Sequence, residues 1–252
     1  SPSIQRTPVL FQAGASPRGL KFATRHAEAM FIGGDNTEKL KKQVDSIREL
    51  ARLDGRDDQA LKLFAGITVV TAETDELAQE KLKEYVKYAS SEAGLAHLSS
   101  SVGIDFSQYA DDDVIPYQQT NSIVSVNNRF KEQKVTLGDL KAQHLLGGRY
   151  PLFVGSGATV AEQLIELIDA TGLDGFNLTR TVAPESHHDF IRLVIPELQQ
   201  RGRYKTEYES GSLRHKIFQK GHHLPATHPA DQFRCQSSLS SIEHEDQTKQ
   251  SA

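Results

Sequence analysis

One stretch combines residue types and spacing suited to chemistry: Gln12-Ala13-Gly14-Ala15-Ser16-Pro17-Arg18-Gly19. It follows the apolar run Pro8-Val9-Leu10-Phe11-Gln12-Ala13 and opens a helical pattern with Leu20, Ala23 and Ala27 on one face. Ser16 stands as N-cap and Pro17 at the first helical position, a matched start signal. Where a strand feeds a helix, unpaired N–H groups and the positive end of the helix dipole favour a phosphate. Gly14 and Ala15 are small enough to let phosphate oxygens approach the backbone. Ser16 can donate its hydroxyl while capping, and Arg18 is close enough in sequence to add charge. The plain alternative, a tight turn with an ordinary cap, fits the same residues.

Other groupings point less clearly to chemistry. Val154-Gly155-Ser156-Gly157-Ala158-Thr159 has the letters of a second phosphate turn but reads better as a helix cap. His187-His188-Asp189 and His222-His223 with His228 and Asp231 suggest a metal. Adjacent histidines on a helix diverge by about 100°, so the first pair does not easily share one ion; the lesser alternative is that His187 or His188 lines a pocket mouth near Asn177 and Arg180. The second group reads as a solvated segment, and no metal site is expected. Asp111-Asp112-Asp113 lacks the Gly and Glu of a calcium loop. Cys235 shows no nucleophile context.

The elements that must position the turn follow from periodicity. Apolar runs at 8–13, 29–32, 61–70, 153–156 and 174–178 alternate with helical patterns, which signals parallel strands with helical crossovers and an α/β class. Asn36 should start the second helix, with Leu40, Val44, Ile47 and Ala51 on its apolar face. Ser186 is expected to cap the last helix, with Asp189 in capping-box position. Pro196 should kink or restart that helix before Gly202 ends it. Residues 93–150 form a polar excursion, helical around 122–130 and 137–145; such insertions are more often functional lids than accidents. Beyond residue 208 the chain turns polar, and from 236 onward disorder is expected.

The bulk numbers bound the reading. With 252 residues, 37% hydrophobic and 25% charged, the chain can bury a sizeable core. A formal net charge of −4 offers no footprint for nucleic acid, and no apolar run is long enough for a bilayer. A single cysteine excludes an internal disulfide framework. The amino terminus lacks a signal-peptide pattern, so a cytoplasmic location is expected. A strand-like run begins at Val9 without a preceding Met, as in a chain that starts inside a larger fold; a trimmed chain reads the same way.

Three motifs in order carry a family resemblance. They are Thr7-Pro8-Val9-Leu10-Phe11-Gln12-Ala13-Gly14-Ala15-Ser16-Pro17-Arg18-Gly19 with Phe22-Ala23-Thr24-Arg25-His26-Ala27-Glu28-Ala29; Asp174-Gly175-Phe176-Asn177-Leu178 with Asp189-Phe190 and Val194-Ile195-Pro196-Glu197-Leu198-Gln199; and Tyr204-Lys205-Thr206-Glu207-Tyr208-Glu209 with Leu213-Arg214. Together, over about residues 7–218, the chain resembles the nitrilotriacetate monooxygenase component A group of the luciferase-like FMN-dependent monooxygenases. The resemblance implies the carboxy-terminal half of an interrupted TIM (β/α)8 barrel, with the insertion before the last strand. Residues 1–207 would be the barrel portion and 208–252 a polar tail. It further implies reduced FMN, supplied by a separate NAD(P)H flavin reductase, and O2 as reagents for oxygenating a small organic substrate. Gly14, Ala15 and Ser16 would hold the FMN phosphate, and a full-length protein would be a homo-oligomer. The first four strand–helix units have no counterpart, so no catalytic residue is carried over. A non-enzymatic half-barrel module and a different phosphate-binding α/β barrel enzyme are the alternatives.

Overall fold

The computed structural model describes residues 3–14, 16–116, 130, 134–146 and 150–233. Val9–Glu209 make one compact unit, and residues 3–8 with 210–233 belong to a second.

The first unit follows the alternation: β1 (Phe11–Ala13), α1 (Pro17–His26), β2 (Ala29–Ile32), α2 (Thr37–Leu53) and β3 (Lys62–Ala72). Next come α3 (Asp75–Tyr88), α4 (Ser91–Val102) and α5 (Leu137–His144), then β4 (Leu152–Ser156), α6 (Gly157–Thr171) and β5 (Gly175–Thr179). The last stretch is α7 (Glu185–Asp189), a π-helical turn at Phe190–Val194, and α8 (Ile195–Gln200). Pro196 lies in the first turn of α8, so the expected restart occurs, and the π turn just before it absorbs the change of register. Gly202 leaves the helix at φ +67°. Asn36 caps α2 as expected, its side chain accepting the Lys39 N–H at 2.9 Å. Ser186 does not cap α7: its hydroxyl accepts the N–H groups of Thr181 and Val182 at 3.2 and 3.0 Å, holding the turn after β5. The expected helix at 122–130 lies outside the described residues apart from Phe130, as do Cys235 and the tail from 236.

All five strands are parallel. Phe64 and Ala65 pair with both β2 and β5, so those strands flank β3 on opposite sides. Thr68 pairs with both β4 and β5, which puts β4 on the β2 side, beside the carboxy-terminal half of β3. The lateral order is β1-β2-β3-β5, with β4 beyond the end of β2. Among the described residues β1 pairs only with β2 and β5 only with β3, leaving two open edges.

One face of the sheet is covered by helices. Met30, Ile32, Leu63 and Ala65 pack with Ala23, Leu40, Val44, Ile47 and Leu167 of α1, α2 and α6. The other face carries Phe11, Phe31 and Phe64, with ring centroids 5.4 Å (Phe11–Phe31) and 6.2 Å (Phe31–Phe64) apart. Phe11 is 43% and Phe31 37% exposed. Parallel sheets are ordinarily covered on both faces, and this aromatic face is left open among the described residues. The polar excursion has a core of its own, in which Leu95, Leu98 and Val102 of α4 meet Leu137 and Leu140 of α5.

Polar locks hold the amino-terminal ends of the strands. Glu28 accepts the Leu10 N–H at 3.0 Å. Asp174 accepts the Leu63 N–H at 2.9 Å and pairs with Arg48 at 2.7 Å and Lys62 at 2.8 Å. Arg48 also donates to the Leu61 carbonyl at 2.6 Å. In the second unit, buried Arg214 of α9 (Leu213–Phe218) donates to the carbonyls of Gln5, Pro8 and His222 at 3.2, 3.0 and 2.9 Å. That guanidinium joins the amino-terminal segment to residues 210–233, so this polar stretch is folded around a buried charge rather than an apolar stripe.

Candidate functional site

In a parallel sheet with helical crossovers, functional groups collect at the carboxy-terminal ends of the strands. The turn after β1 lies at that end. Ser16, with φ −64° and ψ 153°, is the N-cap of α1. Its Oγ accepts the Gly19 N–H at 3.1 Å, and its carbonyl accepts the Leu20 N–H at 2.8 Å. A hydroxyl has one donor and two acceptor positions, so capping leaves the Ser16 hydrogen free to donate to an anion. The first turn of α1 contains no acidic residue. Gly14 has φ +108°, and the space where a Cβ would stand is open. A Cβ at Gly19 would lie 2.9 Å from the Gly14 carbonyl oxygen and 3.1 Å from Ser16 Oγ, so glycine there lets the turn curl over the first turn of α1. Gly14 and Ser16 thus fit an anion, and Ala15 lies outside the described residues.

The similar string after β4 is built differently. Ser156 caps α6, its Oγ accepting the Thr159 N–H at 3.3 Å. Asp75 occupies that helix end: it accepts the Ser156 N–H at 2.7 Å and the Thr159 hydroxyl at 3.1 Å. Those hydrogen bonds, the Ser156 N–H foremost, hold the Asp75 carboxyl below the usual carboxylate range. A built-in anion therefore satisfies α6, as expected for a cap, whereas α1 has none in its first turn.

A cleft of about 610 Å³ opens over β3 and β5 at the same end of the sheet. Its floor is the hydroxyl pair Thr68–Thr179, 2.7 Å apart. Thr179 donates to the Ile67 carbonyl at 2.7 Å, so Thr68 is the donor within the pair. The Tyr150 ring lies against Gly66, where any Cβ would collide with it. One wall is α4, which presents Gly94, His97, Leu98 and Ser101 at helical spacing. Gly94 packs on the His144 carbonyl, so α4 and α5 meet in close contact there. Arg180 and Thr181, following β5, form the rim.

Arg180 thus stands at a pocket mouth, while neither His187 nor His188 is among the lining residues. Beside them, Asp189 pairs with Lys81, and Glu185 lies 2.7 Å from the same ammonium. Burial raises the Asp189 carboxyl, but hydrogen bonds from Lys81 and Arg192 outweigh it and hold the group below its ordinary range. Asp111 pairs with Lys141 at 2.6 Å, and Asp113 accepts the Ala110 N–H at 2.8 Å, so the acidic run is a turn. Among the described residues no three His, Cys, Asp or Glu side chains are grouped to hold a metal. His97 and His144 escaped sequence reasoning because the excursion carries no motif. The one available signal was the i, i+3, i+4, i+7 spacing of Gly94, His97, Leu98 and Ser101.

A parallel sheet with helical crossovers, and with a capped turn and a cleft at its carboxy-terminal end, is the arrangement of α/β-barrel proteins. Residues 1–175 match the luciferase-like monooxygenases, and the chain belongs to that family, the one its motifs indicated. It is 43% identical over 234 residues to the long-chain alkane monooxygenase of Geobacillus thermodenitrificans, an alignment covering 92% of this chain and 50% of that one. To the dimethyl-sulfide monooxygenase of Hyphomicrobium sulfonivorans it is 40% identical over 238 residues, 92% of this chain and 50% of the relative. The crystal structure of DmoA from Hyphomicrobium sulfonivorans superimposes with a TM-score of 0.83 at 38% identity, covering 95% of this chain and 52% of the other. A riboflavin lyase, solved with a modified FMN and riboflavin, gives 0.84 at 36% identity, covering 92% and 52%. The chain spans about half the length of the curated relatives it matches.

Proposed function

We propose that the chain is the carboxy-terminal part of a monooxygenase that uses reduced FMN and O2 to oxygenate a small organic substrate. A separate NAD(P)H flavin reductase supplies the FMN, and the complete protein is a cytoplasmic homo-oligomer. The observation that carries this reading is the contrast between two Ser-capped helices at strand ends: Asp75 fills the α6 terminus, while among the described residues no carboxylate accepts an N–H from the first turn of α1.

Ser16 donates its hydroxyl to the FMN phosphate, and Gly14 and Ala15 bring backbone close to the same oxygens. The bound flavin supplies the oxygen activation, chemistry that belongs to the cofactor. The wall of Phe11, Phe31 and Phe64 keeps water from the barrel interior. α4 and α5 cover the cleft over the Thr68–Thr179 floor, where exclusion of water protects an oxygenating step from side reactions.

A second reading, a non-enzymatic half-barrel module, draws on the open edges of β1 and β5 and the exposed aromatic face. One experiment separates them. The chain is extended at its amino terminus by the corresponding half of the Geobacillus alkane monooxygenase. The expected product binds FMN and couples NADH and O2 consumption to substrate oxygenation only when a flavin reductase is present. A folded chimera that binds no flavin contradicts the enzyme reading.

A further inference from the structure

We propose that the cleft over β3 and β5 receives the anionic end of the substrate, making the substrate class a small organic acid, carboxylate or sulfonate, rather than an uncharged hydrocarbon. As a statement about substrate, the inference rests on the monooxygenase reading; as a statement about binding, it stands on the cleft alone.

Among the described residues the cleft lining contains Arg180 and His97 but no Asp or Glu. Among the described residues neither side chain makes an ion pair or a hydrogen bond. Several part-buried cations of this unit are matched, Arg48 and Lys62 by Asp174 and Lys81 by Asp189 and Glu185. A guanidinium left without a carboxylate at the rim of a concave site is the residue type that recognises oxyanions, through a planar fork of donors. A third group points the same way, for Thr181 Oγ1 is buried without a partner and belongs to the same lining.

Proton accounting on the floor agrees. Thr179 gives its hydrogen to Ile67 and Thr68 gives its hydrogen to Thr179, so neither hydroxyl has a donor left for a ligand. Donors for an anion are therefore Arg180 and Thr181 at the rim and His97 on the α4 wall. Leu98, Leu146 and Ala183 offer apolar surface to a hydrocarbon body. A volume of about 610 Å³ falls within the ordinary range for sites that hold small organic molecules.

The flavin phosphate is the other anion in the system, and the test distinguishes it. The chain is titrated with sodium hexanoate, sodium hexanesulfonate and 1-hexanol, with binding followed by calorimetry and by the imidazole NMR signals, and separately with FMN. Both anions are expected to bind at least about tenfold tighter than the alcohol, the size of effect a charge-assisted pair supplies. In Arg180→Gln that preference disappears while FMN binding is unchanged. Lys83→Gln, which removes the same charge from an exposed position on α3, keeps the preference. Equal affinity for hexanoate and hexanol, absence of binding by all three probes, or an unaltered preference in Arg180→Gln overturns the inference. If FMN fails to bind while the hexanoate preference survives, the flavin reading falls and the anion cleft stands.

Discussion

Replacing Ser16 by Asp is expected to leave the fold intact and to weaken FMN binding by about a hundredfold or more, with riboflavin binding unchanged. Asp and Ser are comparable N-caps, so the bond to the Gly19 N–H has a substitute and α1 keeps its start. A carboxylate placed against the flavin phosphate introduces like-charge repulsion, which costs several kcal/mol in a desolvated contact. Riboflavin has no phosphate and does not meet that repulsion. Ser16→Ala should behave differently, losing roughly 1 kcal/mol of stability with the cap and about 1.5–3 kcal/mol of FMN affinity with the charge-assisted hydrogen bond. Fluorescence titrations with the two flavins, beside thermal melts, separate these effects. FMN affinity in Ser16→Asp equal to that of the parent chain would place the phosphate elsewhere.

The largest expected loss of stability comes from the other end of the sheet. Asp174 stands just before β5 and holds Arg48, Lys62 and the Leu63 N–H together. The side chains of Arg48 and Asp174 are only 8% and 15% exposed, so removing one leaves the other buried with its charge unmatched. Asp174→Ala is expected to cost about 3–5 kcal/mol in chemical denaturation. Asp174→Asn, which keeps an acceptor for Leu63 but no charge, should cost less. The double replacement Arg48→Met with Asp174→Leu should recover most of the loss, because a buried pair exchanged for apolar packing is often near neutral. A loss under about 0.5 kcal/mol in Asp174→Ala would put the lock in the class of surface pairs. Flavin binding should change little per folded molecule, since the lock lies at the amino-terminal ends of the strands, the face that stabilises a barrel rather than the one that reacts.

That separation of faces explains what was legible in the sequence. Strands β2 and β3 were readable because each has an apolar run buried on its helical side and a phenylalanine on the other face, as Met30-Phe31-Ile32 and Leu63-Phe64-Ala65 show. Much of the motif content that carried the family resemblance is structural: Glu28 locks Leu10, Asp174 locks Leu63, Asp189 anchors Lys81, and Arg214 joins two segments of the second unit. Such residues are readable because each must satisfy a particular backbone or charge partner. The turn at Gly14 and Ser16 was legible for a similar reason, since few residues cap a helix after a positive-φ glycine. The cleft was not. His97, His144 and Arg180 come from elements far apart in sequence and share no motif, and α4 meets α5 through Leu95, Leu98, Leu137 and Leu140, with Gly94 on the His144 carbonyl. Ser186 was misread because hydroxyl placement near a helix start does not decide whether it bonds forward into the helix or back to the preceding turn. Here it bonds back.

The proposal that this chain grips a flavin by its phosphate is tested most directly by amide NMR of the chain titrated with FMN, with riboflavin and with inorganic phosphate. The account predicts that FMN and phosphate shift the amide signals of Gly14, Ser16 and Gly19, that riboflavin does not, and that Ser156 and Thr159 at the Asp75-filled end of α6 stay still. Equal shifts at the two helix ends, or none at Gly14 and Ser16 at saturating FMN, would contradict it.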